Sequence, residues 1–192
     1  MRYIVFGVNG AILRTVDCPE EFASMQAQEN ESILQSDIGD GSTHYVSDGQ
    51  LIELPIKPNA YSVFDFQQQT WIDPRTLLEV QLAKWEEIKV SRSVEIDTTM
   101  STPYGPFQCR AEDRQNITDS ILLAQTLTAM SQPVAIQWTL ADNSVTTLDA
   151  AQMVTVGLLL GQKVQAAHAK ARVLRTAIEA ATTIAEVEAI SW

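Results

Sequence analysis

Basic residues are scarce. Lys and Arg number 13 against 24 Asp and Glu, for a net charge of -11 and a pI near 4.5. Binding a phosphate backbone by counterion release needs clustered cations. No such cluster exists, so nucleic acid is not an expected partner. Cysteine and histidine are scarcer still, at two each. Cys18 and Cys109 lie far apart with no CxxC neighbour, which argues against a disulfide framework or a zinc site. His44 and His168 have no carboxylate or thiol at ligand spacing. No apolar run approaches the roughly 18 to 20 residues of a membrane helix. The start, Met-Arg-Tyr-Ile-Val-Phe-Gly-Val-Asn-Gly, lacks the pattern of a signal peptide. The expectation is a protein made in a cytoplasm and held there until assembly, without membrane insertion.

Glycine motifs for phosphate are also missing. Gly7-x-x-Gly10 has no third glycine, and Gly39-x-Gly41 has no following Lys-Ser/Thr. Asp37-x-x-Asp40 lacks the other positions of a calcium loop. No G-x-S-x-G elbow occurs. The sequence therefore assigns no catalytic residue, no cofactor and no metal, and the expectation is that the protein is not an enzyme.

What is present is ordinary material for a folded chain: 45% hydrophobic and 19% charged over 192 residues, enough for one medium or two small domains. The charge is uneven. Residues 1–74 hold three basic groups, Arg2, Arg14 and Lys57, against eleven acidic ones; the remainder holds ten against thirteen.

The first part reads as β-rich. Residues 3–6 form a strand candidate, Asn9-Gly10 is a hairpin turn, and a return strand runs from Ile12 to about Val16. Residues 18–28 open with Cys-Pro-Glu-Glu and suit a short helix. A second hairpin flanks Ser47-Asp48-Gly49, and a third pairs residues 61–66 with 70–72.

Asp73-Pro74 reads as a boundary, with Asp as N-cap and Pro in the first turn of a helix over 74–90. Residues 93–96 and 107–110 then pair around Thr102-Pro103-Tyr104-Gly105. A helix over 112–130 follows. Val134, Ile136, Trp138 and Leu140 alternate as a half-buried strand, and 145–147 return. Thr147 is placed to cap a helix of about thirty residues, with Ala150, Met153, Val154, Gly157, Leu158, Gly161, Val164, Ala167, Ala171, Leu174 and Ile178 on one face. Thr183-Ile-Ala-Glu186 is a capping box for a last helix over 184–190. The fold class is α+β: a small antiparallel β-rich unit at 1–73, then a helix-dominated unit with short hairpins at 74–192.

Interaction candidates follow from these placements. Trp71 precedes the boundary, Trp85 lies in the first long helix and Trp192 ends the chain. Tryptophans of this kind are frequent interface anchors. Trp85 and Trp138 also run in phase with apolar neighbours, the pattern of core residues. Gly157-x-x-x-Gly161 marks close approach by another element, from the same chain or a symmetry mate.

Several runs together resemble a phage tail-associated domain-of-unknown-function family. They are Lys84-Trp85-Glu86-Glu87-Ile88-Lys89, Tyr104-Gly105-Pro106-Phe107, Ile136-Gln137-Trp138-Thr139, Ala141-Asp142-Asn143, Leu148-Asp149-Ala150-Ala151-Gln152, Ala180-Ala181-Thr182-Thr183-Ile184 and Ile190-Ser191-Trp192. That domain forms the C-terminal part of short proteins encoded beside tail-fibre and baseplate genes. Asp48-Gly49 to Pro55, then Phe64-Asp65 to Trp71, is similar to leaders of tail-fibre and fibre-assembly proteins. The resemblance implies a structural protein of the virion tail with fibre or baseplate proteins as partners, or else a tail-fibre assembly chaperone. It implies a homo-oligomer too, a trimer by analogy with fibres. It carries no catalytic residue.

Overall fold

A computed structural model describes residues 1–192, which are 43% helical with small antiparallel sheets and hairpins, an α+β fold. The chain divides into two compact units, Met1–Arg75 and Thr76–Trp192.

In the first unit, β1 (Arg2–Gly7) is the central strand of a three-stranded antiparallel sheet. Its neighbours are β2 (Ile12–Asp17) and β3 (Glu31–Gln35). Ile4 and Val5 are fully buried. The hairpin forms at Asn9-Gly10, but through the four-residue connection 8–11 instead of a two-residue turn, with positive φ at Gly10 alone (+86°); a Cβ at Gly10 would run into the Val46 carbonyl, and the Val46 N–H donates to the Gly10 oxygen at 2.9 Å. The expected short helix is a 3-10 helix over Glu20–Gln26. β3 was not expected, because it has no turn signal and pairs only with the distant β1. Beyond it, β4 (His44–Ser47) and β5 (Gln50–Glu53) close on Asp48 and Gly49, both with positive φ, as a two-residue hairpin turn demands. β6 (Val63–Asp65) pairs with β7 (Thr70–Ile72).

The second unit is built on one long helix. Its elements are α1 (Leu77–Asp97), β8 (Met100–Thr102), β9 (Gly105–Phe107), α2 (Ala111–Ala129), β10 (Ile136–Thr139), β11 (Val145–Leu148), α3 (Ala150–Ala180) and α4 (Ile184–Glu188). At 31 residues α3 is about 46 Å long, and it serves two cores. Near its start, Met153, Val156 and Leu160 pack with Phe107, Ile117, Ala124 and Leu148. Towards its end, Ala171 and Ile178 pack with Val80 and Ile88 of α1 and Val187 of α4.

Four sequence expectations are corrected. The first concerns where α1 begins. Thr76 caps it, accepting from the Glu79 N–H while the Glu79 carboxylate accepts from the Thr76 N–H at 2.7 Å; Asp73 instead pairs with the Arg75 guanidinium at 2.5 Å. Second, residues 93–96 are helical, because α1 runs on to Asp97 and buries Ile96. The hairpin closes in on its turn accordingly, to Met100–Thr102 and Gly105–Phe107. Third, Asp149, not Thr147, is the N-cap of α3, in a capping box with Gln152. Fourth, the buried phase of α3 excludes Val154 and Leu158, which are exposed, and includes Val156 and Leu160. The Thr183–Glu186 capping box is present as read.

Candidate functional site

The helix α2 and the strand β10 form the walls of an open groove of about 460 Å³. Along α2, Asp113, Asn116, Ser120 and Leu123 recur three or four residues apart, so they share one helix face. Ile117 and Ala124 occupy the face turned to the core. From β10 come Gln137, Trp138 and Thr139, while Gln108 stands just before α2. Trp138 is half-buried, and its indole stacks on the fully buried Phe107 with ring centres 5.6 Å apart and planes 25° apart. The rest of its surface lines the groove. Its apolar alternation was legible in the sequence; its groove-lining surface was not.

Charges in the groove are partly answered. The buried Asp113 carboxylate accepts from Arg110 Nε at 2.8 Å and from the Arg110 N–H at 3.0 Å. The Arg110 guanidinium holds this carboxyl below the usual aspartate range. Arg110 also donates to Gln108 Oε1 at 2.8 Å. Asp119 is exposed and accepts from Gln115 Nε2 at 2.8 Å. No Lys or Arg lines the groove. Cys109 lies beside it but is fully buried, and burial pushes its thiol pKa up, which makes it a poor nucleophile.

The five residues singled out from sequence do not converge on this groove. Trp71 belongs to an aromatic cluster of the first unit. Its ring meets Phe64 edge-on at 5.3 Å, its N–H donates to the Pro55 carbonyl at 2.8 Å, and Lys57 lies over it at 5.7 Å. Trp85 packs against the second core of α3 with the Arg175 guanidinium 5.1 Å over its ring. Trp192 packs at the same core beneath Lys170 at 4.5 Å, consistent with a terminal anchor. Gly157 is approached by Ile121 of α2, an element of the same chain. Gly161 is approached by nothing within 4 Å and is exposed. The two glycines therefore differ in role, although their spacing suggested a single face.

Elsewhere, Asp40 Oδ1 accepts from the Ser42 hydroxyl at 2.5 Å and its N–H at 2.8 Å, tying a local turn. No helix is long and apolar enough to cross a membrane.

A helix-dominated α+β unit with a polar groove is thus the class that the second unit defines. Residues 79–191 match the family described as a domain of unknown function, DUF4376, and the chain belongs to that family. No curated protein and no solved structure matches the chain.

Proposed function

We propose that the protein is a non-enzymatic structural component of a tailed-phage tail tip, a baseplate or tail-fibre attachment protein acting through protein–protein contacts. The carrying observation is how much apolar side chain the helices leave in solvent. On α1, Leu78, Leu82, Val90 and Val94 are each about 60% exposed. On α3, Leu158 and Val173 are 61% and 70% exposed. Leu78, Leu82, Val90 and Val94 are spaced in multiples of four and so lie along one side of α1, an apolar stripe that suits a partner contact. The phage setting itself rests on the motif resemblance.

Seven carboxylates are committed to holding the fold. Glu31, Asp40, Asp73, Glu79, Asp113, Asp142 and Glu186 are all held below their ordinary pKa, by guanidinium, hydroxyl or backbone N–H donors.

The partners in this reading are other phage tail proteins, the assembly is a homo-oligomer, a trimer by analogy with fibres, and the location is the virion tail. Mass spectrometry of purified particles tests it: the protein should be present at a fixed copy number. The similarity of residues 48–71 to fibre-assembly leaders favours one second reading, a tail-fibre assembly chaperone. That reading predicts a protein missing from mature particles and captured by the C-terminal region of the fibre.

A further inference from the structure

We infer that the groove between α2 and β10 is a binding site for a neutral saccharide. The site does not depend on the phage setting. Its volume, about 460 Å³, lies within the roughly 300–1,000 Å³ of small-molecule sites. It is open to solvent along one side, which suits a sugar at the end of, or within, a chain.

Four observations give the ligand class. The first is Trp138, whose indole is fixed in place by stacking on Phe107 while its remaining surface lines the groove. A rigid aromatic surface of this kind offers an apolar platform to the C–H face of a pyranose ring. The second is the polar lining. Gln108, Asn116 and Gln137 supply amides, and Ser120 and Thr139 supply hydroxyls. These groups both donate and accept, as sugar hydroxyls do. A simple cation would use only their acceptors and leave every amide N–H and hydroxyl donor idle.

The third observation is that these polar atoms are uncommitted, apart from Gln108 Oε1, which accepts from Arg110 at 2.8 Å. On other faces of α2, the Thr118, Thr126 and Thr128 hydroxyls donate to the carbonyl four residues earlier, at 2.8–3.0 Å. Ser120, on the groove face of the same helix, makes no such bond, and the side chains of Asn116, Gln137 and Thr139 make none within the chain. The fourth is charge. Arg110 already answers Asp113, and no cation lines the groove, so phosphorylated or carboxylated sugars are disfavoured. An extended peptide is the other occupant to consider, and the lining speaks against it, because Leu123 is the one aliphatic side chain beside the indole.

The test uses the full chain on an array of neutral oligosaccharides with gluco, galacto, manno and N-acetylated units, followed by amide NMR titration with the best binder. The expected result is saturable binding, with shift changes confined to α2 and β10. Asn116→Ala and Gln137→Ala replace exposed side chains, so the fold is kept, and each should weaken binding roughly 2- to 10-fold, the worth of one hydrogen bond. Trp138→Ala should abolish binding, and Trp138→Phe should keep part of it. Absence of saturable binding across the array would overturn the proposal. So would binding that Asn116→Ala and Gln137→Ala leave unchanged, or groove resonances that move with a tri-arginine peptide and with no saccharide.

Discussion

Gly157 of α3 lies directly beneath Ile121 of α2, so close that a Cβ at residue 157 would overlap the Ile121 Cδ1 atom. Four residues on, Gly161 faces open space. The same residue type in one helix thus performs two different jobs. At 157 the missing Cβ lets α2 approach; at 161 it leaves the helix backbone bare.

The two sites should respond with opposite sign to alanine. Gly161→Ala should stabilise the protein by about 0.5–1 kcal/mol, the helix propensity that glycine forgoes. Gly157→Ala gains the same propensity but must displace Ile121, and overpacking of about 1–3 kcal/mol should leave it net destabilising. Ile121→Val removes the clashing methyl. In that background Gly157→Ala should become favourable, a coupling measurable by a double-mutant cycle in urea.

The start of α1 is testable in the same way. Thr76→Ala should cost about 1 kcal/mol, since it removes the hydroxyl that accepts from the Glu79 N–H. Asp73→Ala should leave amide exchange in the first turn of α1 unchanged, because Asp73 bonds to Arg75 and not to that turn. Loss of protection at residues 77–79 in the Asp73 variant would restore Asp73 as the cap.

This pair shows what the sequence could and could not convey. Hairpins were legible because Gly10, Asp48 and Gly49 take positive φ, which few other residues fit. The cap at Thr183 was legible because only Thr183, and not the neighbouring Thr182, has a glutamate three residues on. Thr76-x-x-Glu79 has the same form, but Asp73-Pro74 offers a competing start three residues earlier. Ser93-Val94-Glu95-Ile96 alternates like a strand, yet Ile96 lies eight residues after Ile88, two turns along the buried side of a continuing helix. β3 depends on pairing across more than twenty residues. The groove was hidden for a different reason. Its α2 wall is a polar helix face, which in a sequence is indistinguishable from any solvated face until Trp138 is placed opposite.

Lys163 closes the far end of α1. Its ammonium donates to the carbonyls of Ile96 and Thr98 and to Thr98 Oγ1. A cation there satisfies the last orphan carbonyls and complements the helix dipole. Lys163→Met keeps the aliphatic stem and deletes the donors, so it should cost about 1–2 kcal/mol. Hydrogen exchange should quicken in the last turn of α1 and leave the Gly157–Ile121 contact region protected. Uniform loss of protection across the second unit would mean that Lys163 matters for packing instead.

Glu31 makes the first unit sensitive to acid. Its carboxylate accepts from Arg14 Nη1 at 2.8 Å and Nη2 at 2.6 Å, and from the Gln28 N–H at 2.9 Å. The Arg14 guanidinium, then the Gln28 amide, pull its pKa from 4.5 down to about 2. A depressed folded-state pKa means that the unfolded chain takes up the proton first as pH falls. The stabilisation is therefore complete above about pH 4.5 and fades as pH drops towards 2. NMR titration of the Glu31 carboxyl carbon should give a midpoint near 2 in the native chain. Arg14→Gln removes the leading cause and should move that midpoint up towards the ordinary glutamate value. It should also flatten the loss of amide protection in β1 between pH 4.5 and 2. An unchanged midpoint in Arg14→Gln would assign the shift to the Gln28 amide alone.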